Sequence, residues 1–153
     1  MKLSGHKQLI SNARGFTIVE LLIVVVVIAI LAAITIVAYN GIQARALDSS
    51  RDSAARTIRS ALEMYKADNN DEYPRPCTPN SGCNATLLAS ALVPKYTSMI
   101  PEDPKSGTTM QYVVSVDLKG YGLLVEYQSK PRCKFLAGPS VVASWWGAAV
   151  PAC

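Results

Sequence analysis

Histidine is nearly missing from this chain. His6 is the only one, and it lies ahead of a long apolar run. Beyond that run, imidazole acid–base chemistry, a serine–histidine triad and a histidine-ligated metal are therefore excluded. The phosphate-cradling and nucleophile-elbow patterns (P-loop, G-x-G-x-x-G, G-x-S-x-G) are also absent. Neither C-x-x-C nor EF-hand spacing occurs, so Asp68, Asp71, Glu72, Glu102 and Asp103 read as solvated loop acids rather than calcium ligands. No catalytic residue, metal or cofactor is expected.

Excess positive charge is largely missing as well. The formal +4 comes from 15 basic and 11 acidic residues, but Lys2, Lys7 and Arg14 precede the apolar run, and without them the balance is 12 against 11. Such a chain gives no support to nucleic-acid binding through net charge.

What the sequence does have is the junction Arg14-Gly15-Phe16-Thr17-Ile18-Val19-Glu20, running straight into unbroken apolar residues from Leu21 to Ile34. Extended through Thr35 to Ala38, this segment approaches the roughly 30 Å of a bilayer core at about 1.5 Å per residue. Glu20 is a lone carboxylate at its mouth. In hydrocarbon such a group costs about 3 kcal/mol, so one that is kept there calls for a cation. A secretory signal is cut after its apolar core, behind small residues. Here the small residue, Gly15, comes first. Cutting behind it removes a basic leader (Lys2, His6, Lys7, Arg14), keeps the apolar segment and creates an amino group on Phe16, one helical turn from Glu20. The alternative is an uncut N-terminal anchor with a stray acid.

The stretch G-F-T-I-V-E-L-L-I-V-V-V-V-I-A-I-L-A-A-I (Gly15 to Ile34) resembles the type IV pilins and pseudopilins. That resemblance implies cleavage between Gly15 and Phe16 by a prepilin peptidase and N-methylation of Phe16 by the same enzyme. It also implies pairing of Glu20 with a neighbouring subunit's amino terminus as a filament is built. The implied partners are further copies of the chain, the peptidase, the membrane and an inner-membrane assembly platform; DNA or a host surface has no support in the residues. The chain would be a single-pass cytoplasmic-membrane protein before assembly and part of a surface filament afterwards, serving adhesion, motility or DNA uptake. The alternatives are a pseudopilin of a type II secretion or competence system, and a monomeric membrane-anchored binding domain. Many relatives carry a glycine and a proline where this chain has Ala29 and Val37, which predicts a more continuous helix. Gly41 is the one nearby weak point.

Further on, Ala54, Ile58, Leu62 and Tyr65 recur at helical spacing and predict an apolar stripe. Asp52 with Arg56, and Arg59 with Glu63, are spaced for weak pairs on a solvated face that also takes in Arg45, Asp48 and Arg51. Asn69-Asn70-Asp71 and Pro74 end the helix, predicting a rod of about 75 Å from Phe16 to about Ala67. The stretch from Ala61 to Pro74 also resembles the helix end and Tyr-Pro turn of pilin-like heads. Strands are expected at Met110–Val116 and Tyr121–Gln128 around a turn at Asp117–Gly120, with a third near Lys134–Leu136 or Val141–Ala143. Lys130, Arg132 and Lys134 alternate as on a protected edge strand. Of Trp145 and Trp146, at least one is expected in the core. Asn84-Ala85-Thr86 is a formal sequon.

The fold class is therefore α+β: a long N-terminal helix, membrane-spanning in its first half, packed on a small antiparallel sheet. The expected division is a leader at 1–15, a membrane and assembly helix at 16–38, its amphipathic continuation at 39–72 and a β-rich head at 73–153 closed by a C-terminal disulfide loop. All four cysteines follow the membrane segment, which suits disulfides on an oxidising, extracytoplasmic side, with the leader inside. Four cysteines allow three pairings, and the sequence does not choose among them. Cys77 and Cys83 flank a turn, which suits a local loop. Cys133 and Cys153 would then staple the C-terminal segment to the sheet, as in many pilins. Intact-mass measurement of the mature protein should give a chain beginning at Phe16 and carrying one extra methyl group. A product that retains Met1 would rule out the processing.

Overall fold

Between residues 18 and 68 there is no proline and one glycine, Gly41, so the backbone offers a helix no obligatory break. The computed structural model, which describes residues 15–105 and 110–153, has one helix there, α1 (Ile18–Asp68), passing through Ala29, Val37 and Gly41. The leader residues Lys2, His6, Lys7 and Arg14 lie outside the described residues. Strand β1 (Cys83–Asn84) follows, then a 3-10 turn (Ala85–Leu88) leading into a short helix α2 (Ala89–Leu92). Strands β2 (Gln111–Val114), β3 (Tyr121–Val125) and β4 (Cys133–Ala137) complete the order. The chain divides into two compact units at Tyr39/Asn40, and α1 contributes to both.

In the C-terminal unit, α1 ends where Asn70 and Asp71 take left-handed backbone (φ 53° and 59°), a conformation these short polar residues tolerate. The four strands form one antiparallel sheet in the order β1-β2-β3-β4. Its register sets Tyr112 opposite Leu123, Leu123 opposite Phe135, and Val114 opposite Tyr121. These residues share a core with Ala54, Ala55, Ile58, Ala61 and Leu62 of α1, and Tyr65 packs against it half-buried. The expected stripe is therefore present, widened by two alanines that let the helix approach closely. Tyr73, of the Tyr-Pro turn, is buried edge-on to Tyr121, with ring centroids 4.7 Å apart. The Tyr112 hydroxyl donates to the Pro74 carbonyl at 2.9 Å.

The sheet's other face is buried too, which is why β3 lacks in–out alternation. Val113, Gly122 and Leu124 lie beneath the C-terminal segment, and Trp145 is the buried tryptophan of the pair. A side chain at Gly122 would meet both indoles within 3.0 Å. The sequon asparagine, Asn84, caps the 3-10 turn by accepting from Thr86 N–H at 2.9 Å. Residues 141–143 form no strand; their neighbours in the segment cross over the sheet instead.

The charged residues depart most from the sequence reading. Arg51 is not solvated: it is 1% exposed, grips Asp103 at 2.7 and 2.9 Å, and reaches Asp48 at 3.3 Å. Asp48 also accepts from Gln128 N–H, Ser129 N–H and the Ser129 hydroxyl at 2.6–2.8 Å. Asp103, read as a loop acid, thus ties a connection to the helix. Nor do the i,i+4 pairs form. Asp52 binds the Tyr127 hydroxyl and Lys130, Glu63 accepts from Tyr73, and Arg59 lies over the Phe135 ring at 4.4 Å. On a helix packed against a sheet, partners in a drier environment outcompete surface pairs worth a few tenths of a kcal/mol. Likewise, Lys130 and Arg132 fall outside β4, and Lys134 turns inward. The β4 edge is protected by the chain's own tail, which bridges Lys134 to Ala152.

Burial pushes the Asp48 carboxyl up, but the Ser129 hydroxyl, the amides of Gln128 and Ser129, and the Arg51 charge outweigh it and hold it below its ordinary range. Hydroxyls of Ser115 and Ser140 hold Asp117 down at about 2. Both folded values lie below the unfolded carboxylate value of about 3.9. Their stabilisation is therefore complete above about pH 5 and is lost as pH falls through the folded values. Acid titration followed by circular dichroism should show a plateau and then a loss between about pH 4 and 2. Arg51→Met, which leaves two buried carboxylates without their cation, should cost about 3–5 kcal/mol in denaturant unfolding. Leu62→Ala should cost about 2–5 kcal/mol.

Candidate functional site: the mouth of the apolar helix

Residues 21–44 contain no charged side chain, so among the described residues of the N-terminal unit Glu20 is the only charged group, at the head of a continuous apolar helix. The helix is long and apolar enough to cross a membrane. From Phe16 to Ile36 every large apolar side chain is 48–86% exposed, with no sidedness. A helix apolar all round is suited to lipid or to like helices rather than to one face of a soluble core.

Gly15, Phe16 and Thr17 precede the first helical turn, and Glu20 is its third residue. Thr17 occupies the N-cap. Its amide and its hydroxyl each donate to Glu20 Oε2 at 2.9 Å, while the Glu20 amide donates back to Thr17 Oγ1 at 3.2 Å. This is a capping box, in which two otherwise orphaned amides are satisfied reciprocally. It also places the negative charge at the positive end of the helix macrodipole. The sequence reading found the lone acid but missed the box; the signal was the T-x-x-E spacing of Thr17 and Glu20. Among the described residues the carboxylate's hydrogen-bond partners are both atoms of Thr17, and no cation lies within ion-pair distance.

Chemically, the site can accept further hydrogen bonds or an ammonium. Gly15 and Phe16 lie just ahead of α1 and Glu20 lies in its first turn, so all three fall within six consecutive residues. The cysteines belong to the other unit, where Cys77 pairs with Cys83 and Cys133 with Cys153. Among the described residues no group of histidine, cysteine, aspartate or glutamate is arranged to hold a metal.

The family described as the prokaryotic N-terminal methylation motif matches residues 10–36. The type II secretion system core protein G of Pectobacterium carotovorum subsp. carotovorum is 30% identical over 109 residues, 66% of this chain and 64% of that protein. That of Klebsiella michiganensis is 31% identical over 104 residues, 63% of this chain and 70% of its own length. The type IV wide pilus major component of Thermus thermophilus is 44% identical over 59 residues, 39% of this chain and 45% of that protein. The chain spans just under two thirds of the length of the Pectobacterium relative. No solved structure matches it. A methylation motif on a helix headed by a capped glutamate, followed by a small antiparallel head and similarity reaching past the motif, places this chain in the family of type IV pilins and pseudopilins.

Proposed function

We propose that this chain is a structural subunit of a type IV pilus-like filament, held in the membrane until its N-terminal helix packs among copies of itself. The observation that carries the reading is the all-round exposed apolar helix with a single carboxylate at its mouth. In this reading, residues 1–15 are a leader removed between Gly15 and Phe16 by a prepilin peptidase, which also methylates Phe16. Residues 16–38 span the membrane and later form the filament core; residues 39–72 continue the helix, and 73–153 form the extracytoplasmic head.

The capping box gives the stored subunit a way to keep Glu20 ionised in a poor solvent. Two hydrogen bonds and the helix dipole offset part of the desolvation. On assembly, the carboxylate takes up the Phe16 ammonium of a neighbour delivered by an assembly platform. A subunit docked out of register leaves both charges unpaired in an apolar setting, a cost of several kcal/mol, so the pair selects register. Close packing of the helices supplies the cohesion.

A secretion pseudopilus is the second reading. The core protein G matches run over 98 to 109 residues, beyond the shared helix, whereas the pilus match covers 59. Deleting the chain should remove filaments shearable from the cell surface and leave protein secretion normal; the reverse outcome would support the secretion reading. Glu20→Ala should insert in the membrane normally yet lower the yield of sheared filaments by more than about tenfold, the equivalent of about 1.4 kcal/mol per contact. Filaments at normal yield from that variant would sink the charge-pair role. Thr17→Val should cost the helix start about 1 kcal/mol, read as faster amide exchange over residues 18–21, and Thr17→Ser should restore it.

A further inference from the structure

Lys134 is a lysine without a carboxylate. It is 4% exposed, yet none of the ion pairs among the described residues includes it. Its Nζ donates instead to three backbone carbonyls, Ala143 at 2.6 Å, Gly147 at 3.1 Å and Trp145 at 3.2 Å. An ammonium has three protons and no acceptor, so its donors and these oxygens match one for one. The oxygens come from alternate residues of one irregular segment, where positive φ at Trp146 (59°) and Gly147 (91°) turns the chain back on itself. Converging backbone carbonyls are the ligand set that replaces a cation's hydration shell elsewhere. A buried charge lacking such compensation would be strongly disfavoured.

The main chain of Lys134 holds the end of the same segment. Its N–H donates to the Pro151 carbonyl at 3.0 Å, and its carbonyl accepts from Cys153 N–H at 3.1 Å, beside the Cys133–Cys153 disulfide. Both tryptophans lie within the first of these two anchorages. Trp145 Nε1 donates to Asn80 at 3.3 Å and Trp146 Nε1 to Gln111 at 2.7 Å, so the indoles lie across the sheet face opposite α1.

We propose that the carbonyls of Ala143, Trp145 and Gly147 form a site for a small monovalent cation whose resident ligand is the chain's own Lys134 ammonium. This tethered cation, more than the disulfide, orders the segment that covers the outer face of the sheet. The disulfide closes only the ends of a 20-residue separation and leaves the middle unconstrained; the ammonium engages the middle. The inference concerns the head alone and does not depend on filament assembly.

The test uses the full chain in detergent micelles. Trp145 and Trp146 are its only tryptophans, so indole emission reports the segment directly. Lys134→Met keeps the apolar stem and removes the charge. It should retain helical circular dichroism and protection of the α1–sheet core, while indole emission shifts to the red and amides 143–150 exchange at least about tenfold faster. Native emission and exchange in Lys134→Met would overturn the proposal. Lys134→Ala provides the second arm, and it decides the matter even if Lys134→Met fails to fold. Added propylammonium should restore its native emission where propanol at equal concentration does not. Rescue by both, or by neither, would equally overturn the assignment.

Discussion

A small antiparallel sheet has two faces to bury and two edges to protect, and the head of this protein is organised around meeting those demands with one helix and one tail. The stripe of α1 covers the face bearing Tyr112, Val114, Tyr121 and Leu123. The C-terminal segment covers Val113, Gly122 and Leu124, and its last residues bridge to β4 at the open edge. With apolar residues on both faces of β3, removing either cover would expose a row of them to water. The two disulfides sit at the margins of this arrangement and close loops that the covers already position.

Charge inside the head follows the same logic of complete satisfaction. Arg51 has a bidentate carboxylate and a second one beside it, and Asp48 takes three further donors from the 128–129 turn. Lys134 has three carbonyls for three protons. Buried ions contribute little net stability against apolar replacements, but a partly unmade set is costly, so they discriminate sharply between right and wrong packings. Glu20 is the counterpart in the N-terminal unit. Its own first turn meets its needs in part, through Thr17, and leaves an anionic end open to one more donor. In the proposed filament, that partial satisfaction is what would suit it to selecting a neighbour.

Much of the architecture was legible because it rests on local periodicity. The helix follows from the absence of proline and the apolar run, its stripe from Ala54, Ile58 and Leu62, and its end from Asn69-Asn70-Asp71. The strands at 111–114 and 121–125 follow from clustered valine, leucine and tyrosine around a turn. The T-x-x-E box was equally local and could have been read. By contrast, β1 and α2 left little trace: two strand residues and four helical ones are too short to show a period, and they persist by pairing with β2 and by burying Leu88 and Leu92.

What the sequence determined alone was the lone acid at the mouth of a membrane-length helix, the neutrality of the chain without its first residues, and the α+β class, since spacing and composition depend only on neighbours along the chain. Only the tertiary structure decided which charges are solvated and which are buried. Arg51, Asp103 and Lys134 look like surface residues in sequence, and their partners lie 52 residues away for Arg51 and around a turned-back tail for Lys134. No local pattern encodes such meetings. They follow from where the sheet places its faces, because a charge is buried only where folding brings it enough partners to replace water.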